Sequence, residues 1–391
     1  MEKTKTQLKK ILEKVDLTKT QRDRAIDLYT SVCKSIEEKS GLEISFYAQG
    51  SFATKTAIRP YKNGRDRAYD VDVICEVNVP KESISPKILK EYFRNALKDS
   101  RYSDIFEEWD KCFTIEFKEQ DGVGFSIDII PSVPEDYGTI QLLTGITEAP
   151  HLVKSSVAIP STLDENDHWI TNNPKGYVTW LENEIQQFHS RYLLEKRGTS
   201  FSASIEELPE DEFNNNLLNT IKILKRTRDV FYYRRNSDNK PSSIIITTII
   251  GKLAKNLRPT SNELDLLKQV IEQLQQLKNY PTNSLSKRMD VTGYAISDII
   301  TRDMGQWVLN NPANGKDNIL NSWNEDETKA KDFFIWIDNL QDTFATLIEK
   351  NNEERSVTEI YNAFALESPI LNTEKKQFSV TSNSSKPWRA K

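Results

Sequence analysis

The stretch Tyr69-Asp70-Val71-Asp72-Val73-Ile74-Cys75-Glu76-Val77 alternates with period two. This is the pattern of a β-strand. Tyr69, Val71, Val73, Cys75 and Val77 share one face, and Asp70, Asp72, Ile74 and Glu76 share the other. Two carboxylates in an apolar strand therefore project the same way, with Cα atoms about 6.5–7 Å apart at a rise of ~3.3 Å per residue. Acidic groups that close repel unless something neutralises them, and a divalent cation does this best. Oxygen-only ligation points to Mg²⁺ or Mn²⁺ over zinc. For a lone D-x-D, a solvated edge-strand face is an equally good account.

Downstream, residues 112 to 118 and 124 to 130 read as two more strands flanking Glu119-Gln120-Asp121-Gly122, a predicted β-hairpin. In the second of these, Phe125, Ile127 and Ile129 point one way while Ser126, Asp128 and Ile130 point the other. If it neighbours the first strand, Asp128 joins Asp70 and Asp72 on one side of a sheet. Three carboxylates can hold two metal ions about 3.5–4 Å apart, the arrangement used for in-line displacement at phosphorus. The alternative for Asp128 is an N-cap or turn partner ahead of Pro131. Upstream, residues 19 to 39 form a predicted amphipathic helix that Gly41 ends, and Leu42, Ile44, Phe46 and Ala48 alternate as a strand. Gly50-Ser51 breaks that strand. Gly lets a backbone approach a phosphate closely, and the Ser hydroxyl and neighbouring N–H groups can bind its oxygens. Elsewhere such a dipeptide is an ordinary turn.

The stretch from Pro131 to Pro174 carries Pro134, Pro150 and Pro160 and reads as irregular. Beyond it the pattern is helical, over about 175–195, 212–235, 242–257, 262–279 and 326–351, with a further helix over 82–99. The helix at 212–235 is dense in cations. Lys222 and Arg226 share a face, as do Lys225 and Arg228, and this stripe suits a polyanionic triphosphate. Arg234 and Arg235 read as solvated. Trp169, Tyr177 and Trp180 can stack a base, although aromatics near a domain junction are more often core. The polar tail 371–391 is expected to be mobile.

Composition narrows the function. The chain has 391 residues, 37% hydrophobic and 28% charged, enough apolar material for a core. Lys plus Arg is 53 against 58 for Asp plus Glu, a net charge of −5, so bulk electrostatic coating of nucleic acid is disfavoured. Cys33, Cys75 and Cys112 are scattered, and His151, His168 and His189 lack metal-ligand spacing; these suit surface or packing roles in a reducing compartment. No P-loop, Rossmann or kinase signature occurs, and no membrane span or secretory signal is expected. A cytoplasmic location follows from this reading.

The order Gly50-Ser51, Thr54-Lys55-Thr56, Tyr69-Asp70-Val71-Asp72-Val73 and Ile127-Asp128-Ile129-Ile130-Pro131 resembles the polymerase β-like nucleotidyltransferase superfamily. Residues 171–180, TNNPKGYVTW, resemble the entry to the helical lobe of the bacterial cGAS/DncV-like nucleotidyltransferases. Residues 221–229, IKILKRTRD, and 240–245, KPSSII, resemble that lobe's phosphate-gripping helix and the start of the next. The resemblance covers roughly residues 40 to 260. It implies an α+β bilobed fold, with a mixed-sheet catalytic lobe over 1–173 and an α-helical lobe over 174–370. It also implies an enzyme that joins nucleoside triphosphates (ATP, GTP or others) into cyclic di- or trinucleotides, commonly in bacterial anti-phage (CBASS) signalling. Asp70, Asp72 and Asp128 match its metal ligands, for two Mg²⁺ ions or Mn²⁺. Gly50 and Ser51 match a phosphate contact, and Lys225 and Ser242 match contacts to the triphosphate tail. With no Cys/His zinc insertion, a nucleic-acid activator is not expected; a regulatory or tail-modifying protein partner is compatible. The rival readings are a nucleotidyltransferase acting on RNA or protein, and a nucleotide-sensing module without turnover.

Overall fold

The computed structural model describes residues 2–62, 64–66, 68–120, 123–162, 167–199, 216–260, 262–279, 299–349 and 353–366. Two helices open the chain, α1 (Glu2–Val15) and α2 (Lys19–Ser40). α2 starts on a capping box, in which Thr18 accepts from the Gln21 N–H and the Gln21 side chain accepts from the Thr18 N–H. Next come β1 (Ile44–Ala48), the one-turn α3 (Gly50–Ala53), a small hairpin of β2 (Tyr61–Lys62) and β3 (Arg65–Asp66), β4 (Tyr69–Val77) and α4 (Pro86–Lys98). After them run β5 (Phe106–Glu108), β6 (Phe113–Gln120) and β7 (Val123–Pro134). The strand predicted over 69–77 is β4, and the predicted hairpin is β6–β7, with turn residues 121 and 122 outside the described residues.

These strands form a mixed sheet of order β1-β4-β7-β6-β5, in which β4 and β7 run parallel and the other neighbours antiparallel. One face is buried: Val71, Val73, Cys75, Ile127 and Ile129 share a core with Val32 and Ile36 of α2 and Leu89 and Phe93 of α4. Each such side chain contributes about 1.5–3 kcal/mol on burial. That stabilisation lets the opposite face carry carboxylates that repel one another. Ile74 lies on this second face yet is buried, packed with Ile130, Val157 and Ile159.

Its cover comes from the region predicted to be irregular, whose described residues are ordered. After β7 the chain forms α5 (Tyr137–Ile146), a 3₁₀ turn over Pro150–Ser155, and the antiparallel pair β8 (Val157–Ser161) and β9 (His168–Asn172), with β8 beside the end of β7. Pro134 ends a strand and Pro150 opens the 3₁₀ turn, so two of the three prolines punctuate order; Pro160 lies inside β8.

The helical half comprises α6 (Pro174–Thr199), α7 (Asn216–Arg234), α8 (Ser243–Leu253), α9 (Glu263–Asn279), the hairpins β10 (Thr301–Asp303)–β11 (Gln306–Val308) and β12 (Asn310–Asn311)–β13 (Asn314–Asn318), then α10 (Asn321–Glu325), α11 (Glu327–Glu349) and α12 (Glu353–Ala363). The two hairpins and α12 are not among the predicted elements. Residues 212–215 of the predicted helix and the tail 371–391 lie outside the described residues. Contacts cross the division expected at 173/174. Leu8, Ile11, Leu12 and Val15 of α1 belong to the helical core with Leu217, Ile221 and Leu224. Their i, i+3, i+4, i+7 spacing is a readable helix signal. In the other direction, Asn173 Nδ2 donates to Ala313 O at 2.8 Å and the Ala149 N–H to Pro312 O at 3.0 Å, so β12–β13 reaches back across the join. Among the described residues no helix is long and apolar enough to cross a membrane.

Candidate active site

Because β4 and β7 pair in parallel, Asp72 stands opposite Asp128 and Asp70 opposite Ser126. The period of two then puts Asp70, Asp72 and Asp128 on one face, and one carboxylate oxygen from each lies within 4.8 Å of the others. Two hydroxyls orient them. Thr114, opposite Asp128 on β6, donates to Asp128 Oδ1 at 2.5 Å, and Ser126 donates to Asp70 Oδ1 at 3.1 Å. Both hydroxyls were missed in the sequence, since only the strand pairing aims them at the carboxylates.

Among the described residues no Lys or Arg forms an ion pair with any of the three. Burial, followed by the charges of Asp70 and Asp128, pushes Asp72 up to about 7. Burial and Asp128 push Asp70 up to about 6, against the Ser126 hydrogen bond. Burial also raises Asp128, while Thr114 opposes it. Crowded oxygen donors that resist ionisation and lack a protein cation fit a hard divalent ion, and the set lacks the nitrogen and sulfur ligands zinc prefers.

α3 presses against this trio. Gly50 follows β1 at a φ of +63°, and a Cβ there would lie 2.2 Å from Asp72 Oδ2. The Gln49 N–H donates to Asp72 O at 2.9 Å, which locks the approach. Glycine is thus required both by the left-handed backbone and by the carboxylate beside it. Ser51 follows at the mouth of a cavity of about 300 Å³. Gly50, Ser51, Thr56 and Asp72 line this cavity from the sheet half, and Tyr177, Lys225, Ser243 and Thr247 line it from the helices. Asn311 enters from β12–β13, which no sequence signal foretold. The Tyr177 hydroxyl pairs with Thr248 at 2.8 Å and its ring packs against Trp180 at 5.5 Å, so this aromatic pair is mainly core.

Lys225 is 3% exposed, and its Nζ donates to Thr56 O at 2.7 Å. Burial, aided by Arg228, lowers its pKa to about 7. The predicted cationic stripe needs correction. Lys222 pairs with Asp16; Arg226 donates to Asp66, Arg59 O and Phe364 O; Arg228 pairs with Asp229. Burial raises Asp229, but Arg228 and Lys240 outweigh it and hold the carboxyl below its ordinary value. Of the four cations only Lys225 lines the cavity. Ser242 also sits differently from the expectation: it is the exposed N-cap of α8, and Ser243 takes the lining position. The cavity-lining face of α8 begins at its first helical residue, with Ser243, Ile244 and Thr247.

Comparison with known proteins agrees with this layout. The profile of the Second Messenger Oligonucleotide or Dinucleotide Synthetase (SMODS) domain matches residues 1–184. A c-di-GMP synthase of Roseivirga ehrenbergii is 24% identical over 352 residues, covering 88% of this chain and 80% of the relative. The CD-NTase CdnG of Bradyrhizobium diazoefficiens, solved with GTP, superposes with a TM-score of 0.60 at 18% identity, over 91% of this chain and 96% of that one. CdnC of E. coli MS115-1, solved in a HORMA-deltaN complex, gives 0.59 at 14% identity, over 93% and 98%. The fold is therefore the polymerase β-like α+β architecture read from the sequence, a mixed sheet joined to a helical half. Domain profile, relative and folds converge: residues 1–184 match the SMODS domain, the chain has the fold of the bacterial cGAS/DncV-like nucleotidyltransferases, and together they indicate a CD-NTase.

Proposed function

We propose that the chain is a cyclic oligonucleotide synthase, joining ribonucleoside triphosphates into a cyclic di- or trinucleotide messenger with release of pyrophosphate, in bacterial anti-phage signalling. The observation that carries the reading is the cluster of Asp70, Asp72 and Asp128, whose member Asp72 lines the same cavity as Lys225. The c-di-GMP synthase relative supports the product class, and the GTP complex of CdnG supports the substrate class. GTP and ATP are the substrates to try first. A regulatory protein partner belongs to the same proposal, supported by the HORMA-deltaN complex of CdnC.

In this reading the trio holds divalent cations, Mg²⁺ or Mn²⁺. When bound, such ions neutralise phosphate charge and lower the pKa of an attacking hydroxyl. The protein's own groups do the rest. The Gly50 backbone and Ser51 hydroxyl sit against the phosphates. Lys225 and Ser243 grip the β- and γ-phosphates from the helical side. A ribose hydroxyl of a second nucleotide attacks the α-phosphorus; its proton leaves toward Asp128, and the bond to pyrophosphate breaks. The linear product then turns in the cleft and a second transfer closes the ring. Most of the acceleration comes from positioning and charge neutralisation.

Incubation of the pure protein with Mg²⁺ and all four ribonucleoside triphosphates, followed by mass spectrometry, tests this. A phosphatase-resistant cyclic product with pyrophosphate is expected. Label incorporated only into RNA or protein would replace the reading.

A further inference from the structure

Arg228 is a buried cation of α7 whose contacts lead to the cleft, and its side chain is 5% exposed. Its Nε and Nη2 donate to Asp229 Oδ1 at 3.0 and 2.7 Å. Its Nη1 donates to Pro241 O at 3.0 Å and to Ser243 Oγ at 3.2 Å. Asp229 Oδ2 accepts the Tyr61 N–H of β2 at 3.3 Å, and Lys240 Nζ lies 3.3 Å from Asp229 Oδ1. A planar fork of N–H groups can span these acceptors at once; a lysine ammonium cannot.

A serine hydroxyl carries one proton and accepts through its oxygen. With Nη1 donating to Ser243 Oγ, the Ser243 proton is left to donate elsewhere. A serine inside a helix would give it to the carbonyl four residues back. Ser243 is the first residue of α8 and has no helical carbonyl behind it. It lines the cavity beside Lys225 and Gly50, and the cavity is where an acceptor fits.

We infer that Arg228 is a positioning residue for the triphosphate. It sets the Ser243 hydroxyl as a donor into the cleft, and through Asp229 and Tyr61 it ties that hydroxyl to the half that carries the carboxylates. The inference deepens the nucleotidyltransferase reading and rests on it. It adds that recognition of the phosphate tail depends on a guanidinium directed at protein acceptors.

The test compares GTP with GMP, and ATP with AMP, by calorimetry in Mg²⁺ on the full chain. The proteins are wild type, Arg228→Lys, Ser243→Ala and the double variant. Wild type prefers the triphosphate. Arg228→Lys keeps a charge beside Asp229 without the fork, and loses roughly tenfold or more in triphosphate affinity, the worth of one hydrogen bond to a charged group. Its monophosphate affinity stays within about twofold, a split that general loosening of the fold would not give. Ser243→Ala loses the same, and the double variant no more than either. Independent, multiplying losses overturn the inference, as does an Arg228→Lys protein that keeps the preference. Should Arg228→Lys fail to fold, Arg228→Gln/Asp229→Asn removes both charges together and faces the same criteria. Ser243→Ala alone is decisive in any case: a retained triphosphate preference sinks the idea. Cyclic product is scored separately. No product from wild type, with a preference that Arg228→Lys abolishes, defeats the synthase reading and leaves this inference standing. Product with an unmoved preference in Arg228→Lys does the reverse.

Discussion

The carboxylates of β4 and β7 and the cations of α7 face the same join, yet they are treated in opposite ways. Asp70 and Asp128 have hydroxyl partners, none of the three acids pairs with a protein cation among the described residues, and burial and mutual repulsion favour their protonation. Lys222, Arg226 and Arg228 are each matched to an acid, and Arg226 and Arg228 also to backbone carbonyls. Charge density alone therefore does not mark a binding site. The sheet's uncompensated charge is an invitation to a ligand. The helix's compensated charge is mortar between the halves, and Lys225 alone of the four stands on the ligand side.

The largest expected effect falls on the sheet. Asp72→Asn lowers product formation by about 10²–10³-fold or more, and its melting temperature stays equal or rises because repulsion is relieved; a variant with wild-type turnover would remove the metal assignment. Next comes the mortar. Arg226→Met strips three hydrogen bonds and leaves Asp66 without its buried partner, and chemical denaturation should register a loss of about 3 kcal/mol. Lys225→Met reverses that profile: stability is unchanged or higher, and triphosphate affinity drops about tenfold or more. Equal destabilisation in the two variants would dissolve the contrast.

A smaller effect is set by pH. Asp72 at about 7 and Asp70 at about 6 lie above the ordinary carboxylate value, so the folded state holds more protons than the unfolded state in that window. In EDTA, stability from these groups is greatest at low pH and falls as pH rises through 6 to 7. Mg²⁺ should restore it at pH 8 and restore less at pH 5, where protons compete. Melting curves of wild type against Asp72→Asn isolate the contribution, and parallel curves would refute it. The smallest effect is a fraction of a proton. Lys225, at about 7, is largely neutral at pH 8, and a triphosphate favours its charged form. Calorimetry in buffers of different ionisation enthalpy should show uptake at pH 8, none at pH 6, and none in Lys225→Met.

What was legible follows from range. β4 needed only its own alternation, and the acid face could be named from it. The α7 cations were visible, but their partners lie far along the chain: Asp66 is 160 residues from Arg226 and Asp16 is 206 from Lys222. Periodicity carries no information at that distance. The alignment of Asp72 with Asp128 is likewise a property of pairing, which hydrophobic pattern restricts without choosing. The misreading of 131–174 had a local cause, since prolines punctuate ordered elements as readily as they mark loops. Ser242 and Ser243 could not be told apart because a helix start is uncertain by a residue or two.

The return of β12–β13 to Asn173 sets the order in which a ribosome can complete this enzyme. Ala313 is translated 140 residues after the asparagine it meets, a delay of about 7–28 s at typical elongation rates. α1 waits longer still, because Lys14 lies over the ring of Tyr361 on α12. For that interval the nascent chain holds its acidic strands without the pocket wall that makes them useful. A chain that stops short of β12–β13 lacks Asn311 in the cavity wall and the carbonyl that Asn173 meets.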